Sequence, residues 1–184
     1  MPGDLTPRDQ EIVDTPTVHD LLSESHRLEH DGDIGPSLSY ARQALDIARD
    51  AEDSELIAAS LIRVAYVQFR LGRYKEARRT AQEASEIATP SSFAEADALL
   101  ILGNCAAETT SLTDAEAFYH QAADLSREID YSLVRMRALH CLGQAVFMPR
   151  GQFDLALASD YEAYRIAKEK NLHDWLHFPL VTIA

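Results

Sequence analysis

A chain of 184 residues, 46% of them hydrophobic, can bury a core without disulfide staples. Its formal charge of −13 favours solubility and argues against nucleic acid or an anionic membrane as a direct partner. No apolar run approaches the length of a membrane span, and the acidic start from Met1 to Asp14 does not fit a secretory signal. Cys105 and Cys141 fall on apolar helix faces and read as buried thiols, which points to a cytoplasmic protein.

In chain order, residues 1–15 are polar, proline-containing and aperiodic, and read as a flexible leader to a domain over 16–184. Thr17 and Asp20 form a capping box that opens a helix with Val18, Leu21, Leu22, Ser25 and Leu28 on its apolar side. That helix stops at His30-Asp31-Gly32-Asp33, and Pro36 begins a second, with Leu38, Ala41, Ala44, Leu45 and Ile47 buried. The stretch Leu61 to Ala88 gives the clearest pair. Leu61, Val64, Ala65 and Gln68 repeat at helical spacing before Gly72; Tyr74, Ala77, Ala81, Ala84 and Ile87 repeat after it. Gly72 stands where the first helix must end in a left-handed residue, and the small contact residues predict a tight antiparallel hairpin. Ser92 with Glu95 caps the next helix, which carries Leu99, Leu102, Gly103 and Ala106. Thr110 then stands where the earlier hairpin has glycine, and Thr113 with Glu116 caps a helix with Ala115, Tyr119, Ala122 and Leu125. The last full pair shows Leu139, Leu142, Gly143 and Val146, then Phe153, Ala156, Ala163 and Ile166. Its turn holds one residue more than the Ala65–Gly72 segment between small residue and glycine. Leu180, Ile183 and Ala184 repeat the register of Leu139, Leu142 and Gly143. The chain thus stops midway through a further helix, as a fragment of a longer protein or as a helix packed on a partner.

These hairpins are copies of one unit. The small residue of the first helix is Ser25, Ala65, Gly103, Gly143 and Ala184 in turn; the late alanine of the second is Ala44, Ala84, Ala122 and Ala163, spaced 40, 38 and 41 apart. The pattern resembles the tetratricopeptide repeat, lengthened from its common ~34 residues. The resemblance implies an all-α, right-handed superhelix (an α-solenoid) of antiparallel helical hairpins. Four repeats lie at about 18–50, 54–88, 92–129 and 132–170, with a partial fifth at 174–184.

It also implies a non-catalytic protein-interaction module whose first helices line a concave groove. Family groove positions carried onto this chain include Leu22, Glu29, Ile62, Asp97, Leu100 and Arg137. The candidate partner-binding residues among them are His26, Tyr66, Phe69, Arg70, Asn104, His140, Gln144 and Phe147. A carboxylate clamp of the kind some relatives use is not implied, because no lysine occupies these positions. Lengthened repeats look like those of bacterial signalling and regulatory proteins, and so imply an amino-terminal array with an output domain beyond Ala184. Two rival readings stand beside groove binding of a protein or peptide. One is a homodimer through the apolar end, Trp175, Phe178, Leu180 and Ile183; the other is a small-molecule sensor around Asn104, His140 and Gln144.

Little else carries chemistry. No phosphate loop, HExxH or nucleophile–histidine motif is present, so neither a catalytic nor a cofactor site is expected. His26 and His30 share a helix face, yet a solvated face reads better there than a metal site. Arg63, Arg70, Arg73, Lys75, Arg78 and Arg79 surround one acid, Glu76; they pair internally or meet an acidic partner.

Overall fold

Residues 16–109, 111–176 and Pro179 are described in a computed structural model of the chain, and among them all regular structure is helical. The leader, Thr110, Phe178, Leu180 and Ile183 lie outside the described residues. The helices are α1 (Val18–His30), α2 (Ile34–Asp50), α3 (Ser54–Arg70), α4 (Tyr74–Ile87), α5 (Phe93–Thr109), α6 (Leu112–Glu128), α7 (Ser132–Cys141) and α8 (Phe153–Glu169). A π-helical turn, Leu142–Phe147, continues α7, and a 3-10 turn, His173–Trp175, follows α8. None of the described helices is long and apolar enough to cross a membrane.

Each helix packs on the one before it and the one after it. The first helices α1, α3, α5 and α7 also touch in succession, while no comparable contact joins the second helices. A stack held closer on one layer than the other must curve, with the first helices on the inside. This is the helical-repeat solenoid expected from the repeat pattern.

Small residues set the spacing. Ser25, Ala65, Ala44, Ala84, Ala122 and Ala163 are all fully buried between helices. The caps follow local chemistry. Thr17 and Asp20 close a reciprocal capping box, and Ser92 Oγ accepts the Glu95 N–H at 3.2 Å. The α6 cap differs from expectation: Ser111, not Thr113, is the N-cap, and its hydroxyl accepts from the N–H groups of Thr113 and Asp114. Serine one step earlier already offers the oxygen, so the helix begins at Leu112.

The position three residues before the late alanine reads Ala41, Ala81, Tyr119 and Asp160 along the four repeats. Where it is bulky, the first helix answers with glycine. A Cβ on Gly103 would sit 2.6 Å from the Tyr119 ring, and one on Gly143 would sit 3.0 Å from the Ala156 carbonyl and 3.2 Å from Asp160 Oδ2. Tyr119 and Asp160 are both buried, so the volume taken up by the second helix is given up by the first.

The extra residue of the last repeat is absorbed inside the helix rather than in the turn. The Met148 N–H reaches the Gly143 carbonyl at 2.9 Å, the i to i+5 bond of a π turn. Beyond it the helix end is unchanged. Gly72 (φ +73°) and Gly151 (φ +71°) both take the left-handed form. Their successors donate alike, Arg73 N–H to the Gln68 carbonyl and Gln152 N–H to that of Phe147, each at 2.9 Å.

Gly103→Ala sets overpacking of about 1–3 kcal/mol against a helix-propensity gain of about 1 kcal/mol. At 2.6 Å from a buried ring the clash wins. The substitution therefore lowers unfolding free energy, by up to about 2 kcal/mol, in a urea titration. Combined with Tyr119→Ala it costs less than the two changes summed, because the pair then matches Ala65 and Ala81.

Candidate functional site

The inner faces of α1, α3, α5 and α7, with the 3-10 turn at one end, surround a hollow of about 1200 Å³. Leu22, Ile62, Leu100 and Leu133 supply its apolar lining, and Tyr66, Phe93, Tyr131 and Trp175 its rings. Polar groups enter from each first helix: His26 and Glu29 from α1, Arg63 and Arg70 from α3, Asp97 from α5 and Arg137 from α7.

Arg63 builds the floor. It is 4% exposed and crosses from α3 to the first repeat. Its Nε donates to Ser25 Oγ at 2.8 Å, and one terminal nitrogen donates to the Ser25 carbonyl at 2.6 Å and to Ser37 Oγ at 3.2 Å. Its other terminal nitrogen donates to His26 Nδ1 at 3.1 Å. Burial draws the guanidinium pKa down, yet a guanidinium starts so far above neutrality that it stays cationic. Glu29 supplies the counter-charge 3.9 Å away and pairs with Arg70 as well. Serine stands at the small position of repeat one because Arg63 needs an acceptor there. His26, with its Nδ1 lone pair engaged by Arg63, is held below the usual histidine range by burial first and then by the Arg63 charge.

Arg137 is positioned differently. Its guanidinium carbon lies 5.6 Å from the Tyr66 ring centroid and 5.2 Å from that of Trp175. Two rings hold the planar group, and among the described residues it makes no hydrogen bond or ion pair. Asp97 sits nearby and accepts the Tyr131 hydroxyl at 3.1 Å. Burial pushes its carboxyl up to about 6, with the Arg137 charge opposing that rise.

The expected groove residues divide into two groups. His26, Tyr66 and Arg70 line the hollow. Phe69 instead packs with Ala65 and Ala77 and lies 5.5 Å from the Tyr74 ring. Asn104 turns to the second helix, where Oδ1 accepts the Tyr119 hydroxyl at 2.9 Å. His140 Nδ1 and Gln144 Nε2 each meet the buried Asp160 carboxylate at 2.7 Å. Phe147 is 7% exposed in the core, a correction that follows from the π turn. Counted back from the turn glycine, Phe147 holds the place of buried Gln68, and exposed Met148 holds that of Phe69. Asn104, His140 and Gln144, the residues of the small-molecule reading, thus bond the second helices of their own hairpins.

Trp175, expected on an outward self-association surface, is half-buried against the cluster of Met136, Ala163 and Ile166 and stacks on Arg137. The basic patch also dissolves in part, with Arg63 buried, Arg70 on Glu29, and Arg73 4.0 Å from Glu76. Sequence reasoning missed Arg63 and Tyr131 as hollow residues. The signal for Arg63 was there, an arginine inside the apolar run Leu61 to Phe69.

Asp97→Asn tests the electrostatics of this wall. Burial lifts the carboxyl from the ordinary 3.8 to about 6 in the folded chain, so the folded state binds the extra proton between those values. Stability therefore falls as pH rises through that window, and the penalty is complete above it. The amide removes the penalty and still accepts from Tyr131. The variant is expected to match the parent near pH 4 and to exceed it by about 1–3 kcal/mol at pH 7.5 in chemical denaturation.

Residues 28–89 match the family model of the tetratricopeptide repeat. No curated protein sequence matches the chain. Among solved structures, a Rap protein complexed with competence and sporulation factor superposes with a TM-score of 0.74 at 20% identity, covering 83% of this chain and 43% of that one. BtubC (BKLC) from P. vanneervenii gives 0.72 at 19% identity over 90% of this chain and 70% of its own. The apo form of RapI gives 0.70 at 18% over 87% and 60%. At such identities the likeness is one of fold, and the chain spans less than half of the first of these proteins.

Proposed function

We propose that this chain, whose residues 28–89 match the tetratricopeptide repeat, is a non-catalytic interaction module that takes a peptide or protein segment into its concave hollow. The observation that carries this reading is the convergence of four successive first helices on one space of about 1200 Å³. That is above the roughly 300–1000 Å³ of pockets built for small molecules. Its walls mix aliphatic, aromatic and charged groups in the manner of a surface that reads side chains in sequence. A Rap protein of the same fold has been solved complexed with a factor, which supports a stack of this curvature as a receptor. The regulatory setting read from the lengthened repeats belongs to the same proposal.

The test is a peptide library selected on the purified chain and then measured against two variants. Ala59 is exposed and lines the hollow, so Ala59→Trp fills the space without touching the core. Phe153 is 63% exposed and does not line the hollow, so Phe153→Ala serves as the control. Selected peptides should lose at least about tenfold in affinity on Ala59→Trp and none on Phe153→Ala. Peptides that bind the filled variant as tightly as the parent would remove the hollow as the site.

A further inference from the structure

The first and last helices of the stack are finished differently. Val64, Val67 and Leu71 of α3 pack in one cluster with Ile34, Leu38 and Leu45 of α2. In the repeat register the places of the α3 trio are taken on α1 by Glu24, Arg27 and Asp31. Arg27 bonds both acids, at 2.6 and 2.8 Å, so a polar network closes that side. On α8 the places of the α2 trio are taken by Phe153, Leu157 and Tyr164, which keep the stripe apolar. Leu157 is 39% exposed and Tyr161, one turn on, 52% exposed. Stacking copies head to tail would bury the charges of α1 against that stripe, which their desolvation opposes.

The stripe does match itself. Tyr161, Tyr164, Arg165 and Lys168, at positions i, i+3, i+4 and i+7, line an open hollow of about 550 Å³, and Leu157 stands one turn before it. Most charges of α8 are already paired: Glu162 with Arg135, Arg165 with Glu169, and buried Asp160 with His140 and Gln144. Asp154 and Lys168 have no side-chain partner among the described residues. They lie equally far from Tyr161 along the helix, one on each side. Two antiparallel α8 helices crossing at Tyr161 therefore set Asp154 of each copy beside Lys168 of the other. The same crossing drops Leu157 of each copy into the open hollow of the other, as a knob enters a hole. Apart from Asp160, the acids Asp154, Glu162 and Glu169 are matched by Arg165, Lys168 and Lys170, so the face is locally neutral in a molecule of net −13.

We propose that a second copy of this chain docks on α8, giving an isologous dimer with Tyr161 on its two-fold axis. Phe153, Leu157, Tyr161 and Tyr164 cover one another across the axis, while the Asp154–Lys168 pairs fix direction and register more than affinity. None of these residues lines the concave hollow, so the pairing does not draw on it.

Sedimentation velocity of the 184-residue chain over a range of about 1–300 µM follows the association. The parent should pass from monomer to dimer within it. Leu157→Arg, at an exposed site, should keep the thermal melt and stay monomeric. Asp154→Lys and Lys168→Asp should each raise the dissociation constant about tenfold or more, because each makes both ion pairs repulsive. Mixed in equal amounts, these two variants should form a heterodimer within about threefold of the parent's affinity, since every pair is again of opposite sign. Loss of folding in either variant could not produce that rescue. A parent that stays monomeric overturns the proposal and leaves the stripe to another partner. A dimer that survives Leu157→Arg, charge variants that dimerise like the parent, or a mixture that does not associate overturns it as well.

Discussion

Everything in this molecule depends on how closely two helix backbones approach within a hairpin. The approach is set by one small residue in the first helix and the residue it meets in the second. Ala65 packs in one cluster with Ala81, Gly103 makes room for Tyr119, and Gly143 makes room for Asp160. Close packing within each hairpin lets the repeats stack, and stacking brings the first helices into one inner layer. The hollow follows from that layer.

The same exchange of volume decides which residues are left to face a ligand. One position after the small residue, the four repeats carry His26, Tyr66, Asn104 and Gln144. Where the second helix offers only alanine at the facing position, the first two of these side chains remain on the inner wall. Where it offers a hydroxyl or a carboxylate, Asn104 and Gln144 are drawn to it. Half of the row therefore serves the scaffold. A buried acceptor such as Asp160 needs its donors more than the inner surface needs another polar group.

That division explains what was legible in the sequence. The periodic alanines, the turn glycines and the copies at about 40 residues report backbone geometry directly, and the solenoid follows from them. The groove offsets are backbone addresses too, and they hold for His26, Tyr66 and Arg70 on α1 and α3. They fail where a long-range partner competes, as at His140, or where the helix gains a residue, as before Phe147. Both failures had written signs: glycine in place of alanine opposite a large side chain, and one residue more before Gly151. Arg63 was harder to place, because spacing alone does not tell a surface charge from one anchored in a neighbouring repeat.

The inner layer has a mechanical consequence. In a stack whose members touch only their neighbours, each repeat-to-repeat junction can open or close a little without the others. Arg137 bridges farther than most groups, reaching from α7 to Tyr66 of α3 past an intervening helix. It acts as a stay across the mouth of a spring, joining the angles of successive junctions into one degree of freedom.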